Sequence, residues 1–301
     1  MTGCSLCPRR CGIDRAVSPG ACGAGEELVV GSIVIHRGEE PPLVKGAGSG
    51  AVFFSGCPLK CVYCQNRQIS HEAAGKILSE EELAGYLVLL QESGCSNINL
   101  VSPTHFAPRI IHALDLAVAK GLNLPVMLNS SGYESIESLK CWAGRAHLYL
   151  MDLKYGDNEA GRMFSRVSDY WDRAREAIAY LWEAVGPLRL DGEGRAVSGL
   201  IVRHLVLPGM RSNPFAVLEF LTGLSLEIPV SIMSQYNPHT TYTGDMPDMK
   251  RPLLPDEYQV VLERAVDLGF STVFVQDLDA SSAYTPDFQS EVPFGDIRRI
   301  L

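Results

Sequence analysis

From Ala51 onward the chain repeats one unit: a short apolar run, a turn, then a longer amphipathic stretch. The runs are AVFFSG (51–56), NINLVS (97–102), PVMLNS (125–130), HLYLMD (147–152), LIVRHLVLP (200–208) and PVSIMS (229–234). Several are apolar on both alternations, as strands covered on both faces must be. Between them, Ser79-Glu80-Glu81-Glu82 has capping-box spacing and opens a helical segment ending near Ser93-Gly94. Residues 107–120, 134–142, 169–185, 214–224 and 255–268 are further expected helices, the last begun by Pro255-Asp256-Glu257. Alternation of this kind implies a parallel sheet with right-handed crossovers. Six units do not close an eight-unit barrel, and STVFVQ (271–276) offers one more strand. The expected class is α/β, a partial (β/α)6-type TIM barrel of parallel strands with a small Cys-rich N-terminal extension. A doubly wound sheet is the alternative that periodicity leaves open. In either fold the chemistry belongs at the carboxyl ends of the strands.

Three parts are expected: a Cys-rich, metal-binding lead-in over 1–48, the barrel over 49–240, and an acidic extension over 241–301 that completes or covers it. The lead-in holds one apolar run, Leu28 to Ile35, and the Gly- and Pro-rich loop PPLVKGAGSG. From Pro238 to the end, eleven acidic residues face five basic ones. Overall, 26 Lys and Arg against 35 Asp and Glu leave a net charge of −9. That balance offers no long-range attraction to nucleic acid or anionic lipid. No apolar run reaches the roughly 18 residues of a membrane span. The N-terminus, MTGCSLCPRRCGIDR, has Cys and Arg where a signal peptide needs an apolar segment. A cytoplasmic protein without nucleic-acid or membrane partners is the expectation.

Seven of the nine cysteines fall within the first 64 residues. Reduced, clustered thiols point to metal or redox chemistry before disulfides. Cys95 and Cys141 stand alone and read as buried small hydrophobes. Cys57, Cys61 and Cys64 follow directly on the first barrel strand. Three thiolates on one loop suit three corners of an iron–sulfur cube, with one iron left open to a chelating ligand. The bland alternative is a zinc loop completed by His71 or a distant cysteine.

The Cys-x3-Cys-x2-Cys spacing, with aromatic Tyr63 before the third cysteine, resembles the signature of the radical S-adenosylmethionine superfamily. The resemblance runs over roughly residues 50–240. Met151-Asp152-Leu153-Lys154 and RHLVLPG (203–209) are similar to segments of pyruvate formate-lyase activating enzyme and other glycyl-radical activases. The longer wording GCPLKCVYCQNRQIS, NINLVSPTHF and RHLVLPG looks most like a pyruvate formate-lyase activating enzyme-like branch.

The resemblance implies that Cys57, Cys61 and Cys64 ligate a [4Fe–4S] cluster whose open iron takes the amino and carboxylate groups of S-adenosylmethionine. It places Tyr63 beside the adenine and Asp152 and Lys154 near the bound cofactor, where a cation and a carboxylate suit its charged groups. It places Asn129 and Ser130 there too; Asn129 stands where activases often have Asp, so their cation is not carried over. Arg203 points inward toward a carboxylate in an alternating register, and His204 faces the other way. The second strand end departs from the family's Gly-Gly-Glu-like turn. Pro103 has no N–H to donate, so carbonyls or the Thr104 hydroxyl must substitute. His105 is either a proton donor or a satisfied turn histidine. The implied chemistry takes an electron from a donor such as flavodoxin or ferredoxin, cleaves S-adenosylmethionine reductively and abstracts hydrogen with the 5′-deoxyadenosyl radical.

Cys4, Cys7, Cys11 and Cys22 supply four more thiols in a compact Gly-rich segment. A structural zinc or iron is the preferred reading, and an auxiliary [4Fe–4S] cluster the other. Three functions fit: an activase of a glycyl-radical enzyme, a radical enzyme acting on a small molecule or peptide, and a non-catalytic electron-transfer or zinc module. A covered barrel mouth would favour the small molecule.

Overall fold

The protein is described from a computed structural model that places residues 3–238, 242–278, 285–294 and 300–301. The expected boundary near residue 240 and two stretches of the acidic extension, 279–284 and 295–299, lie outside the described residues. Among the described residues ten strands form the sheet system: β1 Val29–His36, β2 Ser49–Phe54, β3 Lys76–Ile77, β4 Ile98–Val101, β5 Val126–Ser130, β6 Leu148–Asp152, β7 Arg189–Leu190, β8 Ala196–Leu205, β9 Val230–Met233 and β10 Val273–Val275. Their order is β10-β9-β8-β6-β5-β4-β2-β1-β3, with β7 beside β8. From β2 to β10 the main path is parallel, and β1 is antiparallel to both β2 and β3. Along the parallel path from β2 to β10 the order of the described strands follows the sequence without reversing, so that path has no switch point and the doubly wound alternative falls. The sheet is an open, partial barrel, and the extra strand at 271–276 is present as β10.

The helices are α1 Arg67–Ser70, α2 Glu80–Glu92, α3 Ala107–Ala119, α4 Ile136–Lys140, α5 Asn158–Ser165, α6 Tyr170–Val185, α7 Pro214–Leu224 and α8 Pro255–Leu268. The capping box at α2 is complete: Ser79 Oγ accepts the Glu82 N–H, and the Glu82 carboxylate accepts the Ser79 N–H at 2.8 Å. Helix α5 was not expected. Its start is fixed by Asp157, which accepts the Ala160 N–H at 2.7 Å.

Parallel register separates the two faces of the sheet. Val126, Leu128, Tyr149, Met151, Leu200 and Val202 join the helices in the main core. Met127, Leu148, Leu150 and Ile201 point inward and pack around Leu43. Leu43 belongs to the lead-in, in a 3-10 turn over Pro41–Leu43, and is fully buried. Its carbonyl accepts hydrogen bonds from Ser96 Oγ and Asn97 Nδ2, both at 2.8 Å. The lead-in thus adds a strand to the sheet and plugs the barrel interior, and burying Leu43 is worth about 1.5–3 kcal/mol.

The C-terminal segments reach the opposite edge. Phe288 and Phe294 pack on Phe53 at ring separations of 5.3 and 5.4 Å. Ile33 of β1 exchanges backbone hydrogen bonds with Ile300 and Leu301. Of the isolated cysteines, Cys95 is buried as expected; Cys141 is exposed, because it caps short helix α4 on the outer surface.

Candidate active site

Strand β2 delivers the chain into Ser55-Gly56-Cys57. Gly56 has φ +84°, and a Cβ there would sit 2.8 Å from the Cys22 carbonyl and 3.3 Å from His105 Nε2. Only glycine combines that backbone with that approach. His105 Nε2 lies 2.7 Å from the Ser55 carbonyl, so it carries the proton and donates. Burial pulls the His105 pKa down to about 4, leaving a neutral ring that braces the loop outside the cavity.

The loop itself is docked on α5. Lys60 and Val62 donate their N–H groups to the carbonyls of Ser165 and Phe164. Cys61 Sγ lies 2.9 Å from Ser165 Oγ, and Cys64 Sγ 3.1 Å from Ser70 Oγ. Cys57, Cys61 and Cys64 line one cavity of about 210 Å³, together with Tyr63, Asn129, Ser130, Asp152, Lys154 and Arg203. Burial raises the Cys61 thiol to about 11 and the Cys57 thiol further still.

Tyr63 is held by a chain of hydroxyls. Its Oη is 2.7 Å from that of Tyr155, which is 2.7 Å from Ser165 Oγ, the partner of Cys61. Lys154 pairs with Asp152 at the end of β6. Burial opposes its charge, but Asp152, Tyr63 and Cys61 outweigh burial and keep the ammonium protonated.

Two predicted contacts are otherwise engaged. Thr104 does not line the cavity; its hydroxyl and that of Ser130 both donate to Glu134 Oε1. Arg203 does face the cavity, but its guanidinium is committed to the lead-in: Nε and Nη2 meet Glu40 at 2.8 and 2.6 Å, and Nη2 also meets Glu39. Glu39 takes a further bond from Asn99 Nδ2 at 2.7 Å. Burial pushes the Glu39 pKa up, and Arg203 overrides it to hold the carboxyl ionised. His204 faces away, on the Leu153 carbonyl and Ser212. His71, the alternative zinc ligand, is not in the cavity; its Nδ1 is 3.0 Å from Arg67.

Sequence reasoning missed several cavity residues. Gln65, Gln235 and Gln276 form an amide chain with contacts of 2.8–3.0 Å. His36 and Glu39 enter from the lead-in, and Phe294 from the C-terminal segment. The one available signal was the acid pair before two prolines, Glu39-Glu40-Pro41-Pro42, in a chain with a lone Arg in an apolar strand.

Residues 51–189 match the Radical SAM superfamily. The chain carries a radical SAM domain. Along most of its length it is similar to an uncharacterized protein of Methanocaldococcus jannaschii, 28% identical over 281 residues, covering 90% of this chain and 76% of that one. It is 30% identical over 131 residues to the pyruvate formate-lyase-activating enzyme of Clostridium pasteurianum, covering 42% of this chain and 54% of that enzyme. The structure of Streptococcus suis SuiB bound to precursor peptide SuiA superposes with a TM-score of 0.52 at 13% identity, over 80% of this chain and 51% of SuiB. The chain therefore spans about half the length of SuiB and of the activating enzyme, and the SuiB likeness concerns the fold.

A radical SAM domain implies a [4Fe–4S] cluster and S-adenosylmethionine, and the domain here offers a donor set that fits them. Among the described residues no three His, Cys, Asp or Glu side chains close on one point as a single ion requires. The Cys57, Cys61 and Cys64 thiols instead border a shared cavity, and a cube gives each thiolate its own iron. Hydroxyls beside two of the sulfurs, and a fixed cation nearby, are the neighbours that tune such a cluster.

Proposed function

We propose that this protein is a radical SAM enzyme in which Cys57, Cys61 and Cys64 hold the cluster and a compact substrate, a small molecule or short peptide, enters the same cavity. The observation that carries the reading is the convergence of the three thiols, Tyr63, Asp152 and Lys154 on one cavity at the carboxyl ends of the strands. When bound, the cluster and S-adenosylmethionine supply one-electron cleavage of the sulfonium and a hydrogen-abstracting 5′-deoxyadenosyl group. The chain's residues do the rest. Lys154 would bind the cofactor carboxylate, with Asp152 holding its ammonium in place. Asn129 and Ser130, which line the cavity from β5, would border the cofactor, and the buried Tyr63 would lie on its adenine side. Phe294 and the β1 edge exclude water from the open side of the barrel.

Packing of the C-terminal segment against Phe53 and His36 favours a compact substrate. A glycyl-radical enzyme as partner is the second reading, favoured by the likeness to the activating enzyme. Both take a low-potential donor such as flavodoxin or ferredoxin, and a cytoplasmic, anaerobic setting. Neither needs nucleic acid or a membrane: the net charge is −9, and among the described residues no helix is long and apolar enough to cross a membrane. A second metal at Cys4, Cys7, Cys11 and Cys22 belongs to the same reading.

The test is anaerobic reconstitution followed by measurement of iron and of 5′-deoxyadenosine formed from S-adenosylmethionine and a reductant. Bound iron with 5′-deoxyadenosine formation is expected, both lost together in Cys61→Ala. Zinc without iron after every reconstitution overturns the reading. Trimming residues 285–301 then separates the substrates, since an activase should gain access to its protein partner and an enzyme of compact substrates should lose turnover.

A further inference from the structure

The cavity holds more acid than base at the end built by the lead-in. Asp152 and Lys154 balance one another at the end of β6. At the lead-in end a single guanidinium, Arg203, answers two carboxylates, Glu39 and Glu40, and one formal negative charge is left over. Arg203 meets both oxygens of Glu40 but only one of Glu39, whose other oxygen accepts from Asn99 Nδ2. A carboxylate accepts at about four positions, so Glu39 keeps capacity that Arg203 does not. Glu39 lines the cavity, and its side chain is only 5% exposed. A buried excess charge is costly unless a cation arrives to balance it.

Two neighbours of that carboxylate lack partners. His36, at the end of β1, is 7% exposed and lines the same cavity, yet its Nδ1 meets no hydrogen-bonding partner among the described residues. Asn99, fully buried on β4, gives its Nδ2 to Glu39, while its Oδ1 is likewise unpartnered there. A buried polar atom left unsatisfied costs about 1–3 kcal/mol, so its retention calls for a reason. Burial holds His36 below its ordinary pKa in spite of Glu39, so the ring is neutral and can offer Nδ1 as a lone pair. Carboxylate, amide oxygen and imidazole lone pair are all acceptors. The group missing from this corner is a positively charged donor. Aromatic rings complete it: Phe294 lies 4.6 Å from the His36 ring and 5.4 Å from that of Phe53, and all three line the cavity. Such rings attract cations.

We propose that the lead-in end of the cavity binds a protonated amino group of the substrate, with Glu39 as its counter-ion, His36 as a hydrogen-bond acceptor, and Phe53 and Phe294 as the aromatic wall. The inference rests on the reading of this cavity as a radical site for a compact substrate, and it narrows that substrate to an amine. Arg203 is then a positioning residue, which keeps Glu39 ionised and in place. Charge sorts the two ligands. Lys154 repels an ammonium and suits the cofactor carboxylate, whereas Glu39 does the reverse.

The test uses the full chain, reconstituted anaerobically and saturated with S-adenosylmethionine, with no reductant so that nothing turns over. Benzylamine, benzyl alcohol and benzoate are the probes, alike in their ring and different in charge. Their dissociation constants are read by saturation-transfer difference NMR at neutral pH, where the amine is protonated. Benzylamine should bind about tenfold more tightly than benzyl alcohol, and benzoate most weakly. In Glu39→Gln, where Glu40 still neutralises Arg203, the preference should fall to about unity. Equal affinities for benzylamine and benzyl alcohol in the wild type would overturn the inference, and so would a preference that survives Glu39→Gln. A preference seen only when S-adenosylmethionine is left out would overturn it too, since the acidic corner would then belong to the cofactor. Iron content and 5′-deoxyadenosine formation on the same preparation test the radical reading separately, and their absence sinks that reading whatever the probes do. If Glu39→Gln fails to fold, the wild-type ratio decides alone.

Discussion

Two buried ionic groups face the same cavity, and they differ in how fully they are satisfied. Arg203 spends its fork on two carboxylates of the lead-in, and Asn99 fills a further position on Glu39. Lys154 has three protons to give, and among the described residues its ammonium bonds Asp152 alone. A saturated charge in a barrel interior is scaffold, since it has no capacity left for a ligand. A charge with spare donors beside three thiols is placed to take one. The difference separates two residues that the sequence motif treats alike.

The sharpest test of the cavity itself removes a thiol. Cys61→Ala should lose the trio's iron and reduce 5′-deoxyadenosine to the level of a no-enzyme control, while the circular dichroism spectrum is retained. Retained iron and turnover would mean that the cluster sits elsewhere.

Next in size is the scaffold charge. Arg203→Gln strands two buried carboxylates, and unfolding free energy should fall by about 3–5 kcal/mol in urea titrations. Adding Glu39→Gln and Glu40→Gln should restore most of that loss, because the penalty is the uncompensated charge rather than the missing pair. A single variant as stable as the wild type, with weakened cofactor binding, would reverse the assignment and make Arg203 the ligand.

Lys154→Gln is the mirror experiment. Its S-adenosylmethionine dissociation constant, measured by equilibrium dialysis, should rise about tenfold or more, since a charge-assisted bond to the cofactor is lost. Its stability should fall less than that of Arg203→Gln. Unchanged affinity would remove Lys154 from the cofactor site.

This contrast also marks the limit of what the sequence made legible. The strands were readable because they are apolar on both alternations, and the Cys-x3-Cys-x2-Cys loop because its spacing is a local property. The partner of Arg203 was not, because Glu40 lies 163 residues away and nothing local announces the pairing. Thr104 and Ser130 read as polar residues at strand ends, which they are. Only the three-dimensional position of Glu134 explains why their hydroxyls point to a carboxylate. Helix α5 went unread because Asn158–Ser165 is short and its polar and apolar residues mix, although Asp157 carried a usable cap signal.

Glu134 supplies the smallest and most specific prediction. It is buried, takes hydroxyl hydrogen bonds from Thr104, Ser130 and Ser138, and has no cationic partner among the described residues. Burial outweighs those bonds and raises its pKa to about 7. A carboxyl with a raised folded-state pKa binds its proton more tightly folded than unfolded. Its stabilising contribution is therefore complete below the ordinary value of 4.5 and is lost as pH rises through about 7. Half-buried His71 and buried His105 and His204, each lowered to about 4, act in the opposite sense, losing stability as pH falls from 6.5 toward 4. The wild-type profile thus mixes both slopes, and the difference between Glu134→Gln and wild type isolates one. Between pH 5 and 7 the wild type should lose up to ~1.4 kcal/mol per pH unit relative to the variant, measured as urea midpoints. Parallel profiles would mean that Glu134 stays ionised, and a compensating cation would have to be sought near Ser130.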